Sequence, residues 1–168
     1  AQGWLLDAGG GTGRVSHGLR GQVGGVVLLD LSPGMLGQAS RKDGLVKTQA
    51  QVQRLPFREG AFDRIIVVDA LHHFGAQRAA AADLMRVLAP GGRLVIEEPN
   101  VDRWLIKLLA LAERLTLMRS RFYPPAAMAR MFRAQGGRVT SHTDHPINAW
   151  LVVDKPGAAP GQPRSGAA

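Results

Sequence analysis

Near its start the chain reads Leu5-Leu6-Asp7-Ala8-Gly9-Gly10-Gly11-Thr12-Gly13, an apolar run delivered into a glycine turn that leads straight into a helical stretch. Side chains at such a turn would collide with a ligand lying on it. Glycines admit positive φ and close backbone approach, and the exposed N–H groups there favour an anionic group such as a carboxylate or phosphate. The dinucleotide fingerprint G-x-G-x-x-G does not fit, because counting from Gly9 its third glycine falls on Arg14. What fits is D-x-G-x-G-x-G, with Asp7 two residues ahead of Gly9, then Gly11 and Gly13.

Beyond this turn, apolar runs bounded by Gly, Pro or Asp alternate with helical stretches, the pattern of a mostly parallel sheet with helices on both faces. The spacing predicts strands at 4–8, 26–30, 46–50, 64–69, 93–98, 138–143 and 149–154, with helices at 12–20, 33–41, 76–88, 103–119 and 125–135. Ser32-Pro33 reads as an N-cap followed by proline at the first helical position. Pro90-Gly91-Gly92 is expected to close the 76–88 helix, and Pro124-Pro125 to open the last one, which Gly136-Gly137 ends. Residues 1–156 are expected to form one domain and 157–168, rich in Gly, Ala and Pro, a disordered tail. The early first strand and the missing initial Met suggest that something has been trimmed from the start.

Composition narrows the function classes. Without cysteine there is no disulfide scaffold, thiolate metal site or cysteine nucleophile. No run approaches the ~20 apolar residues needed to span a bilayer, and a cytoplasmic location is expected. The net charge of +8 raises nucleic acid as a partner, but the arginines are scattered from Arg14 to Arg164 rather than massed, which favours compositional bias. His142 and His145 invite a metal reading. No further ligands converge on them, so they are read as turn residues between two late strands, with no metal expected.

The second strand ends in Val26-Val27-Leu28-Leu29-Asp30, and a carboxylate there is placed to accept hydrogen bonds from ribose hydroxyls, so turn and acid together suit an adenosine-bearing cofactor. Four segments, LLDAGGGTG (5–13), LLDLSPGML (28–36), RLPFREGAFDRIIVVDALHHF (54–74) and RVLAPGGRLVIEEP (86–99), resemble in order and spacing the class I S-adenosylmethionine-dependent methyltransferases. Among these the wording is similar to the ubiquinone/menaquinone-biosynthesis C-methyltransferase type, with its methyltransferase type 11 domain. The resemblance implies a doubly wound, mostly parallel seven-stranded α/β sheet and S-adenosylmethionine as cofactor, with S-adenosylhomocysteine as product. It implies that Asp7, Gly9, Gly11 and Gly13 hold the methionine part, Asp30 the ribose, and Leu31 and Met35 the adenine. Gln51 stands where relatives usually carry an adenine-binding aspartate. Asp69 is expected to contact the cofactor or cap a helix.

Methyl transfer is an in-line displacement that asks mainly for alignment and exclusion of water, with a general base where the acceptor must lose a proton. His72, His73 and Glu98 follow the fourth and fifth strands and are the candidate bases. The 103–119 stretch carries Trp104, Leu105, Leu108, Leu111, Leu115 and Met118 at helical spacing, with Arg103, Lys107 and Arg114 opposite. A core helix, a lid over a hydrophobic substrate and a peripheral membrane helix all suit it. A small, hydrophobic or quinone-like acceptor is therefore expected; RNA methylation and a non-catalytic cofactor-binding domain are the alternatives. The sequence is compatible with a homodimer.

Overall fold

The computed structural model describes residues 2–100, 121–143 and 147–157. The expectations for 103–119, for His145, and for the tail beyond Gly157 lie outside the described residues. Seven strands, β1 (Trp4–Ala8), β2 (Gly25–Asp30), β3 (Val46–Gln49), β4 (Phe62–Val68), β5 (Leu88–Pro99), β6 (Arg138–His142) and β7 (Asn148–Asp154), form one sheet in the order β3-β2-β1-β4-β5-β7-β6. The pairs from β3 to β5 are parallel, and β7 runs antiparallel to both β5 and β6.

Alternation along the strands sorts the core into two layers. Leu6, Ala8, Val27 and Leu29 face α3 (Gln77–Val87) and α4 (Pro125–Arg133), whose Leu84, Met85, Met128 and Phe132 are buried with them. Leu5, Val26 and Leu28 face the other way, with Ala39 and Leu36 of α2 (Pro33–Ala39) and Leu19 of α1 (Arg14–Leu19). Strands buried on both faces explain why these runs are almost uniformly apolar.

Several ends are fixed as the residues predict. The Ser32 Oγ accepts from Met35 N–H at 3.3 Å with Pro33 in the first turn of α2. Pro124 and Pro125 open α4. Pro90-Gly91-Gly92 does not close α3 as expected: α3 ends at Val87, and Leu88 already pairs with Phe62. Within β5 the pairing with β4 then shifts register, the next paired residue being Arg93 opposite Arg64. The end of α3 is met instead by Lys155, whose Nζ donates to the Met85 oxygen in its last turn and to the Leu88 oxygen just beyond it, both at 2.8 Å. His142 is the last residue of β6, paired with Trp150, and so belongs to a strand rather than a turn. No helix among the described residues is long and apolar enough to cross a membrane.

Candidate active site

The chain order reverses between β1 and β4, and a ligand crevice in such a sheet lies beyond the strands' carboxyl ends at that switch. A cleft of about 110 Å³ lies there, lined by Asp7, Gly10, Thr12, Arg14, Val15, Val68 and Asp69. The glycine turn crosses the end of β2, with Gly9 and Gly10 N–H donating to the Leu29 carbonyl at 2.7 and 3.2 Å. Lys42 braces it from the other side, Nζ to Thr12 oxygen at 2.6 Å.

The glycines divide by what surrounds them. A Cβ on Gly10 would overlap the Asp7 carboxyl and a Leu28 methyl, so this position is closed by packing. Gly11 has φ +56° and, among the described residues, nothing within 4 Å of where its Cβ would stand, so that position is open. Gly9 packs against Ala70 and Phe74, and Gly13 against Leu45 and Leu28. Gly10, Thr12, Arg14, Val15 and Val68 were not picked out by the sequence. Gly10 was passed over because the motif counts alternate glycines.

Asp7 is 1% exposed, and among the described residues its Oδ2 and the Ser16 Oγ have no hydrogen-bond partner in normal geometry. Burial pushes its carboxyl up to about 6 from 3.8; Ser16, on the neighbouring turn of α1, pulls it back and the Asp30 charge adds a further upward push. Asp30 ties two loops together, its Oδ2 accepting from Gly11 N–H at 2.9 Å and its Oδ1 from Ser32 N–H at 2.8 Å. Each oxygen keeps a second lone pair for a ligand hydroxyl. Beside it Leu31 and Met35 are 59% and 43% exposed, unusual for large apolar side chains and suited to a flat aromatic ring. Gln51 is exposed, and its Oε1 accepts from Gln53 Nε2 at 3.3 Å.

Asp69 follows β4 in the left-handed region at φ +49°, the one non-glycine residue there among the described residues. Such strain gathers at functional sites. The helical turn Leu71–His73 that follows has no side-chain cap, so Asp69 lines the cleft rather than capping a helix. His72 is buried and His73 exposed. Glu98 is buried at 3% exposure, its Oε1 accepting from Ala70 and Leu71 N–H at 2.9 and 2.6 Å and its Oε2 lying 2.6 Å from His72 Nδ1. Gln77 and Phe122, which no sequence signal points to, complete this corner: Gln77 Nε2 donates to Leu71 and Arg121 oxygens, and the Phe122 ring stacks on His72. No group of three or more His, Asp or Glu among the described residues is arranged to hold a metal ion.

A family model described as a methyltransferase domain matches residues 6–96. The chain is 34% identical over 101 residues to a demethylmenaquinone methyltransferase of Beutenbergia cavernae, the match covering 60% of this chain and 42% of that protein. It is 38% identical over 104 residues to a ubiquinone/menaquinone biosynthesis C-methyltransferase of Saccharophagus degradans, covering 56% of this chain and again 42% of the relative. The chain thus spans less than half the length of these curated relatives. Its fold is similar to that of the YcgJ protein of Bacillus subtilis, with TM-score 0.81, 19% identity and 94% of each chain covered.

Proposed function

Because this chain belongs to the methyltransferase domain family, whose cofactor is S-adenosylmethionine, we propose that it binds that cofactor across the cleft at the β1–β4 switch and methylates a small hydrophobic acceptor. The observation that carries the reading is the set of groups left without partners around that cleft. Among the described residues the buried Asp7 Oδ2 lacks a donor, Gly11 looks onto open space, and Leu31 and Met35 stand exposed near Asp30. An ammonium group, a ligand backbone, an adenine and a ribose respectively suit these features.

The cofactor supplies an electrophilic methyl group on a sulfonium. The chain's own residues bind and orient. Asp30, held by two backbone N–H groups, offers its remaining lone pairs to the ribose hydroxyls. Leu31 and Met35 flank the adenine and Gln51 offers an amide to its edge. Asp7 supplies negative charge beneath the glycine turn, and Asp69 contributes from β4. Of the candidate bases, His72 and His73 can take a proton from an acceptor, while the Glu98 carboxylate is already occupied by protein donors. The names of the quinone-methylating relatives support an acceptor of the quinone-precursor kind; in a phenolic form such an acceptor has a hydroxyl proton for a base to take.

Calorimetric titration with S-adenosylmethionine, S-adenosylhomocysteine and NADH tests the reading. Micromolar binding of the first two and none of the third is expected. Asp30→Ala removes charge-assisted bonds to the ribose and unties Gly11, so affinity should fall about tenfold or more. Unchanged affinity would refute the ribose assignment, and absence of binding by the wild-type chain would refute the cofactor site.

A further inference from the structure

Glu98 is an expensive residue where it stands. A buried carboxylate–imidazole pair is generally no more stable than apolar side chains of the same volume, so packing alone gives little reason for it. Its Oε1 accepts the Ala70 and Leu71 N–H groups, which build the turn beside the cleft, since Ala70 follows Asp69 and packs against Gly9. With Oε1 taken up by those two donors, Oε2 is left facing His72 Nδ1 at 2.6 Å. With Nδ1 carrying the hydrogen, the lone pair of His72 sits on Nε2.

The ring is also held in plane. Phe122 stacks on it with centroids 4.4 Å apart and 15° between planes, and His73 lies 4.0 Å away on a tilted approach. The His72 carbonyl accepts from Arg121 N–H at 2.8 Å, which fixes the backbone beneath the ring. Among the described residues, the titratable groups in contact with His72 are Glu98 and His73, and Arg121 meets it through its backbone N–H.

We propose that Glu98 is a positioning residue that fixes the Nε2-basic tautomer of His72, and that His72 removes the hydroxyl proton of a phenolic acceptor. The inference rests on the methyl-transfer reading above. In the step, the acceptor O–H bond breaks with its electron pair left on oxygen, and an N–H bond forms at Nε2. The resulting imidazolium is held by Glu98 and later returns its proton to water.

Glu98→Gln tests it. The amide oxygen can still accept from Ala70 and Leu71, but the NH₂ donates to Nδ1 and forces the hydrogen onto Nε2, the tautomer that cannot act as a base. Two readouts are needed: ¹⁵N NMR of the His72 ring, and turnover of a short-chain demethylmenaquinone reduced to its quinol. The wild-type ring should carry its hydrogen on Nδ1. In the variant it should move to Nε2, with kcat falling at least about a hundredfold while KM and S-adenosylhomocysteine affinity stay within about threefold. His72→Phe, which keeps a ring against Phe122, should show the same kcat loss. A wild-type ring protonated on Nε2 overturns the proposal without any assay. So does a tautomer switch that leaves kcat unchanged, or a kcat loss with no switch. Failure of the wild-type chain to bind S-adenosylhomocysteine would instead refute the underlying reading.

Discussion

Asp7→Asn is expected to raise the melting temperature of the ligand-free protein near neutral pH by about 4 °C or more and to weaken S-adenosylhomocysteine binding at least about tenfold. The two effects have one cause. Asp7 is buried with an unpartnered oxygen, and burial lifts its carboxyl from 3.8 to about 6. The folded pKa lies above the unfolded one, so the folded chain holds this proton more tightly. The cost of ionising Asp7 is absent below pH 3.8, grows as the pH rises, and is fully present above about 6, where it amounts to up to roughly 3 kcal/mol. Asparagine has nearly the same shape and no charge, so it removes that cost and the loss of stability across the same pH window.

The charge that destabilises the empty protein is what a cationic ligand group needs. Asp30 adds negative charge nearby, while Arg14, which lines the same cleft, is placed for the opposite end of a zwitterion. In the wild-type chain, cofactor affinity should therefore decline as the pH falls through about 6 and Asp7 takes up its proton. In the variant that step should vanish. Thermal melts from pH 4 to 8 with and without S-adenosylhomocysteine check both halves. A variant that melts no higher than wild type, with the same pH slope, would show that Asp7 is not strained by its charge.

The sequence places these side chains unevenly. The limits of β1, the Ser32-Pro33 start of α2 and the Pro124-Pro125 start of α4 were legible because each depends on chemistry within a few residues. Asp7 and Asp30 were legible as cofactor candidates because a glycine turn and a strand end announce themselves locally. The early start of β5, with its register shift at 89–92, was not, because Leu88 finds its place through Phe62, twenty-six residues earlier, and no local signal competes with a Pro-Gly-Gly stop. The sequence names Glu98 rather than Glu97 as a candidate base, but nothing local shows that it is the buried one of the two. Strand alternation sends them to opposite faces, and only the pairing of Glu98 with buried Ala149 decides which enters the core. The same holds for Gln77 and Arg121, whose contact spans forty-four residues.

The glycine turn offers the sharpest separation of folding from binding. Gly10→Ala should destabilise the protein without adding anything to the cleft, because its methyl would overlap the Asp7 carboxyl and Leu28. Relieving that overlap moves β1 against β2 and costs about 1–3 kcal/mol. Gly11→Leu should do the reverse. Its Cβ meets no atom of the described residues, so the fold bears the left-handed backbone cost of about 1–2 kcal/mol. The leucine side chain, however, fills the space beside the N–H that Asp30 holds, where the ligand backbone is proposed to lie. S-adenosylhomocysteine affinity should fall about a hundredfold or more, since a displaced ligand forfeits the Asp30 and Asp7 interactions together. Circular dichroism melts and calorimetry on the two variants separate the effects. A Gly11→Leu protein that folds and binds as wild type would place the cofactor elsewhere, whereas a Gly10→Ala protein that melts like wild type would show that Asp7 has room to move and would weaken the case that burial holds its charge at a cost.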